Sequence, residues 1–289
     1  MAEWDADIEL DERQVRALIA GQCFTPRSLR LLGKGWDNEV WLADEHWAFR
    51  FPRRATAVEG FELELEALPR LAPQLPLPIP EPVYVGVGAD GYPWPFFGAE
   101  LVPGRELGDL GEDERAALAR PLGEFLRALH GATLDVELPE DDMQMSSSVP
   151  EARRLLANVA ALWTPPPVVA DVLDAAADLP LLPATCVAHC DLHFRHLLVE
   201  DGRLSGVIDW GDVARADPAI DLMAYWFALP AFAREDFLRA YGRPVREDQL
   251  LRARVWAFYV GAVLLAYALD VGDDVLAREA LGSLERAAS

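Results

Sequence analysis

The sequence predicts an α+β protein of two units, residues 1–102 and 103–289. Three observations lead there. At 289 residues the chain can bury more than one core. Before residue 102, short runs of β-branched and aromatic residues alternate with glycine and proline, whereas beyond it apolar residues recur at helical spacing. The two textures meet at Val102-Pro103-Gly104, which breaks regular structure.

Taken in order, Val15, Leu18 and Ile19 predict an amphipathic helix from Asp11 to Ala20, stopped by Gly21. Leu29 to Leu32 and Val40-Trp41-Leu42 read as strands around the turn Gly33-Lys34-Gly35-Trp36-Asp37-Asn38. A glycine-rich turn lets backbone N–H groups approach a phosphate, and a plain hairpin turn is the other reading. Trp47 to Pro52 is a strand of alternating bulk carrying Arg50, and a helix follows from Ala57 to Leu71 with Phe61, Leu65 and Leu68 on one face. Pro73 to Pro82 is too rich in proline for helix or central strand and predicts an extended connector. Strands at Val83 to Val87 and Phe96 to Leu101 flank the turn Gly91-Tyr92-Pro93.

Past the break, Glu112 to His130 predicts a helix kinked at Pro121, with His130 a capping or packed histidine. Val136 to Ser148 reads as an acidic mobile loop, followed by helices from Pro150 to Trp163 and from Val168 to Ala177 around Pro165-Pro166-Pro167. After residue 210, a loop to Ala216 precedes Asp217-Pro218, a helix start with Asp221 one turn in. Helices from Ala231 to Tyr241, Glu247 to Leu269 and Asp273 to Ala287 complete the chain.

The chemistry concentrates in Val187 to Trp210, VAHCDLHFRHLLVEDGRLSGVIDW. His189, Asp191 and His196 have the spacing of the kinase catalytic loop H-x-D-x-x-x-x-N, with histidine in the asparagine position. Two strands joined at Asp201-Gly202 would return Asp209 toward Asp191. Phosphoryl transfer needs one carboxylate to take the acceptor's proton and another to hold the metal on the nucleotide phosphates. Asp191 and Asp209 suit those posts, with His196 as second metal ligand. Rival readings are a zinc site among Cys186, His189, Cys190, His193 and His196, and an ordinary turn with a satisfied histidine.

These residues resemble the aminoglycoside phosphotransferase family of small-molecule kinases. HCDLHFRHLLV followed by VIDWGD is most similar to the branch of 2″-aminoglycoside and macrolide kinases. The resemblance implies a two-lobed protein-kinase-like fold: an N-terminal nucleotide-binding lobe of antiparallel sheet plus helix, and a C-terminal, mostly helical catalytic lobe, with nucleotide between. It implies a nucleotide loop at Gly33, Gly35, Trp36 and Asn38, and Arg50 in the place of a phosphate-binding lysine. Glu64 would fix Arg50, with Glu62 and Glu66 as rivals, and backbone groups from Glu100 to Val102 would meet the base. Asp221 would brace the catalytic loop, or simply favour a helix N-terminus, while His189 and His193 support the site.

The implied reaction carries the terminal phosphoryl group of ATP or GTP, with Mg2+ or alternatively Mn2+, to a hydroxyl. The acceptor is expected to be an aminoglycoside first and a macrolide second. A metabolic kinase for a sugar, choline or homoserine is the sibling alternative. A non-catalytic nucleotide binder is the remaining one, motivated by Arg50 and His196.

Composition bears on partners. Lys plus Arg number 26 against 48 Asp plus Glu, a net charge of −22, which repels nucleic acid and anionic membrane and favours cationic ligands or simply solubility. An odd three cysteines suggest a reducing compartment. MAEWDADIELDERQ lacks the basic and apolar parts of a secretory leader, and the apolar run Val255 to Leu269 falls short of the ~20 residues of a bilayer span. The expectation is a cytoplasmic protein, a monomer by default.

Overall fold

Alternating bulk puts Phe49 and Phe51 on one face of a strand and Arg50 on the other, and this strand, β3 (Trp47–Pro52), is the middle of a five-stranded sheet. Its partners are β1 (Leu29–Lys34), β2 (Asn38–Ala43), β4 (Pro82–Gly86) and β5 (Phe96–Glu100). The order is β1-β2-β3-β5-β4, antiparallel throughout. In this computed structural model the described residues are 6–289 except 90, 109 and 142. The sheet belongs to the first of two units, made of residues up to Pro73 with Pro78–Val102 and Leu134–Val136. Gln74–Leu77, Pro103–Thr133 and Glu137–Ser289 make the second.

One face of the sheet is closed by α1 (Glu12–Gln22), whose Val15, Leu18 and Ile19 join Leu29, Trp41, Phe49 and Phe96 in one core. Gly21 does not stop this helix. Asp11 caps it reciprocally with Gln14, at 2.8 and 2.9 Å, and a single interior glycine costs only about 1 kcal/mol. Helix α2 (Val58–Leu71) buries Phe61, Glu64 and Leu68 along one stripe. Gly33 and Asn38, expected in a turn, lie in strands instead, because a bulge after Leu31 carries β1 on to Lys34.

In the second unit, β8 (Leu197–Glu200) and β9 (Arg203–Val207) form the expected hairpin. Asp201 and Gly202 both take positive φ, 50° and 72°, as the tightest hairpin turns require. A short β6 (Arg105–Glu106), invisible in the sequence, pairs with β8. Residues 211–216 are not all loop: β10 (Ala214–Ala216) pairs with β7 (Cys186–Ala188), a partnership set by a distant strand rather than by local propensity.

The helices are α3 (Glu112–Leu129), α4 (Met145–Asn158), α5 (Pro167–Ala176), α6 (Met223–Phe227), α7 (Arg234–Tyr241), α8 (Glu247–Val271) and α9 (Asp274–Ala288). Helix α4 opens before Pro150, inside the expected loop, since the Ser147 and Ser148 hydroxyls close its first turn on the Gln144 carbonyl and Met145 and Val149 are buried. Asp142, within that loop, lies outside the described residues. No regular helix starts at Pro218. Asp217 instead accepts N–H groups from Ala219 and the Gln249 side chain, both at 2.9 Å, and turns lead on to α6. By length and composition α8 could cross a membrane, and half of its most apolar window is buried where it packs on α4, α6 and α9.

Candidate active site

The strand β7 delivers the chain into residues 189–196, whose backbone is held from beneath by one carboxylate. Asp221 accepts the N–H groups of His189 and Cys190, both at 2.9 Å, and contacts His130 Nε2 at 3.0 Å. His130 in turn meets the Tyr241 hydroxyl through Nδ1 at 2.8 Å. Burial works to raise the Asp221 pKa, but the His130 hydrogen bond and charge outweigh it and hold the carboxyl below its ordinary value. The sequence places Asp221 in a helix and His130 at a helix end; the structure joins them in one buried network. A histidine ending one helix and an acid far along the chain gave no local sign of that pairing.

Asp191 follows Cys190, which takes a left-handed φ of 66°, and Asp209 itself has φ 63°. Side chains with a Cβ adopt this region at a cost, and such strain collects at functional sites. The two acids converge. His196 Nδ1 donates to the Asp191 backbone carbonyl at 2.7 Å and lies 3.5 Å from the Asp191 carboxylate, while Nε2 faces the Asp209 carboxylate at 3.3 Å. Burial works to lower the His196 pKa, but Asp191 and Asp209 outweigh it and raise it to about 9. Between the two carboxylates Nε2 carries either this proton or, once the proton is given up, a cation in its place.

His189 links the loop to the hairpin, meeting the Ile208 carbonyl through Nε2 at 3.0 Å and receiving the Asp191 N–H on Nδ1 at 3.3 Å. Burial, with the neighbouring His196 charge, lowers its pKa to about 4 against the opposing pull of Asp221. Below its ordinary 6.5 the unfolded chain therefore takes a proton that the folded chain refuses. Stability present above pH 6.5 is lost as pH falls toward 4, at about 1.4 kcal/mol per unit. His196, raised to about 9, acts at the other end of the scale, adding stability below 6.5 that fades as pH rises through 9. Urea unfolding of His189→Gln at pH 7 and pH 5 is expected to show about 2 kcal/mol less acid loss than the parent chain. An equal loss in both would contradict it.

His193 is buried and packs on His196 with ring centroids 3.8 Å apart at 31°, its Nε2 3.7 Å from the Asp191 carboxylate. Donor atoms of Asp191, His193 and His196 lie within 4.8 Å of one another, close enough to share one ion. Burial pushes the Cys186 thiol up to about 12 and Cys190 well above its usual range, which disfavours the thiolates a zinc site needs. A hard divalent cation fits better. His196 already hydrogen-bonds a backbone carbonyl through one ring nitrogen and faces Asp209 with the other, the usual orientation of a metal-ligating imidazole.

In the first unit, the Arg50 guanidinium pairs with Glu64 and lies 5.6 Å from the Phe97 ring centre. Glu64 is fully buried, whereas its rivals Glu62 and Glu66 are exposed. The turn between β1 and β2 is closed by the Gly35 N–H on the Asn38 carbonyl at 2.8 Å. A Cβ at Gly33 would meet nothing, and one at Gly35 only the Asn38 carbonyl at 3.4 Å, so both glycines leave open space. Trp36 is half-buried and Asn38 buried. At the end of β5, the Glu100 carboxylate is 3.7 Å from His46 Nε2, and Val102 is buried. Sequence reasoning missed Glu39, a buried acid that accepts from the Trp41 indole at 2.9 Å and whose pKa burial raises.

A sheet-and-helix unit, a mostly helical unit and a histidine–aspartate loop followed by a second aspartate define a kinase-like phosphotransferase. The chain belongs to the phosphotransferase enzyme family, which matches residues 28–256. Solved structures agree on the fold. One is the GDP complex of wild-type aminoglycoside 2'-phosphotransferase-IIIa, 22% identical, with 96% of this chain and 99% of that chain covered and a TM-score of 0.71. Another is macrolide 2'-phosphotransferase MphH from Brachybacterium faecium, 25% identical over 93% and 96% of the two chains, TM-score 0.62. Among curated proteins, the uncharacterized protein YcbJ of Bacillus subtilis strain 168 is 27% identical over 241 residues, 75% of this chain and 77% of its own length. The solved structures are of aminoglycoside and macrolide phosphotransferases, the branch that the central motif resembles, and the α+β kinase-like class expected from sequence is the one found.

Proposed function

We propose that this enzyme transfers the terminal phosphoryl group of ATP or GTP to a hydroxyl of an aminoglycoside-type acceptor. The observation that carries the reading is the convergence of Asp191 and Asp209 on one imidazole, at 3.5 and 3.3 Å. Asp191, with a third of its side chain exposed, takes the acceptor's hydroxyl proton as the new O–P bond forms and the bond to the leaving diphosphate breaks. Asp209 and His196 would hold Mg2+, or Mn2+, which when bound neutralises charge on the phosphates. Arg50, fixed by Glu64, grips phosphate oxygens as a fork. The segment carrying Gly33, Gly35, Trp36 and Asn38 receives the phosphate chain, and main-chain atoms from Glu100 to Val102 meet the base. Asp221, His189 and His193 hold the loop. Most of the rate comes from positioning and charge neutralisation, because little covalent chemistry falls to the protein.

A cationic acceptor suits the net charge of −22. It also suits Asp141 and Asp212, which lie close enough to Cys190 to add to the effect of burial on its thiol. A macrolide is the second reading, favoured by apolar residues of the insertion such as Met145 and Leu181, which line a small concavity together with the charged Asp141, Asp217 and Arg252. Sugar, choline and homoserine kinases remain sibling substrates. The reading carries a cytoplasmic monomer without nucleic-acid or membrane partners. Release of ADP or GDP, measured against panels of aminoglycosides, macrolides and small metabolites, tests it. Aminoglycosides are expected to give the fastest turnover; a response confined to metabolites sinks the acceptor class, and transfer to no hydroxyl sinks the whole reading.

A further inference from the structure

Directly after β3 come Arg53 and Arg54, to which neither the sequence motifs nor the proposed chemistry gives a task. Arg53 is buried at 9% exposure, an expensive place for a guanidinium. Its surroundings do not form a conventional buried ion pair. Nη2 is 3.5 Å from Glu9, whose own side chain is 68% exposed, and Nε has no hydrogen-bond partner among the described residues. What Arg53 does hold is the turn. Its backbone N–H donates to the Asp37 carbonyl at 2.6 Å, and Nη1 donates to the Gly35 carbonyl at 2.5 Å. Arg54 adds a second grip, donating from Nε to Asp37 Oδ1 at 2.9 Å and from Nη2 to the same oxygen.

The C=O and N–H of one trans peptide point in opposite directions. Drawing the Gly35 carbonyl onto Arg53 therefore turns the Trp36 N–H away from it, and drawing in the Asp37 carbonyl turns the Asn38 N–H away likewise. A positive charge behind the turn also makes its far side more attractive to an anion. We propose that Arg53, seconded by Arg54, is a positioning residue that presets the turn between β1 and β2 to receive nucleotide phosphate by gripping its carbonyls from behind. This rests on the proposed role of the turn in nucleotide binding. Arg53 acts through the backbone and touches no reacting atom.

The test is equilibrium binding of ADP and GDP, steady-state kinetics, and hydrogen exchange of residues 33–38. Arg53→Ala is expected to weaken nucleotide binding and raise nucleotide KM by about tenfold, the worth of a charge-assisted hydrogen bond, with kcat at saturating nucleotide changed by less and exchange in the turn accelerated. Arg53→Lys should recover part of the affinity, since an ammonium can still reach the Gly35 carbonyl but cannot face Glu9 with a second nitrogen. Arg54→Ala should move the same readouts in the same direction by less, and it serves if Arg53→Ala does not fold. Arg30→Ala, at an exposed pair with Glu45, controls for loss of surface charge. Unchanged affinity and exchange in Arg53→Ala overturn the proposal, as does a lysine variant no better than alanine. If the parent chain binds neither nucleotide, the functional reading fails, while faster exchange in Arg53→Ala would still support the grip on the turn.

Discussion

Replacing Asp191 by asparagine is expected to lower kcat by about 10²- to 10⁴-fold, the usual worth of a general base, while nucleotide still binds. Asparagine keeps the shape and the backbone contacts of the loop but cannot take the acceptor's proton. Because His196 bonds the Asp191 carbonyl and not only its carboxylate, the loop should keep its form. Phosphate release from nucleotide and transfer to the acceptor, measured together, separate the outcomes. Turnover within about threefold of the parent would remove Asp191 from the role of base.

The second large effect is on stability. Glu64→Ala leaves the Arg50 guanidinium buried without its carboxylate, and breaking a buried pair from one side costs about 3–5 kcal/mol. Such a loss is a large share of a typical domain's stability, so urea unfolding should show the first unit melting early. Glu64→Gln keeps volume and one acceptor oxygen and should lose less. If alanine costs under about 1 kcal/mol, Arg50 must have found another partner, and the buried pair is not what holds its head group.

Several parts of this picture were legible from residues alone because they are local. The hairpin after residues 189–196 announces itself through Asp201-Gly202, and the spacing of Glu64 from Leu68 on one helical stripe singles it out over Glu62 and Glu66. What stayed hidden depends on distant partners. Pairing of β10 with β7 joins residues 214–216 to 186–188, and nothing in Ala214-Arg215-Ala216 marks a strand. Asp217-Pro218 carries the local signature of a helix start, but the Gln249 side chain competes for the capping carboxylate and turns form instead. His130 is the capping, packed histidine the sequence predicts, but its partners Asp221 and Tyr241, each on another element, leave no local mark.

The left-handed backbone at Cys190 and Asp209 has a consequence for how the acidic pair is maintained. Neither residue would choose that conformation in a free chain, so the arrangement is imposed by Asp221 beneath and the hairpin beyond, not encoded by the stretch itself. Cut out as a peptide, VAHCDLHFRHLLVEDGRLSGVIDW would keep every donor atom and lose the constellation. Any hold of this segment on a cation would belong to the folded unit around it.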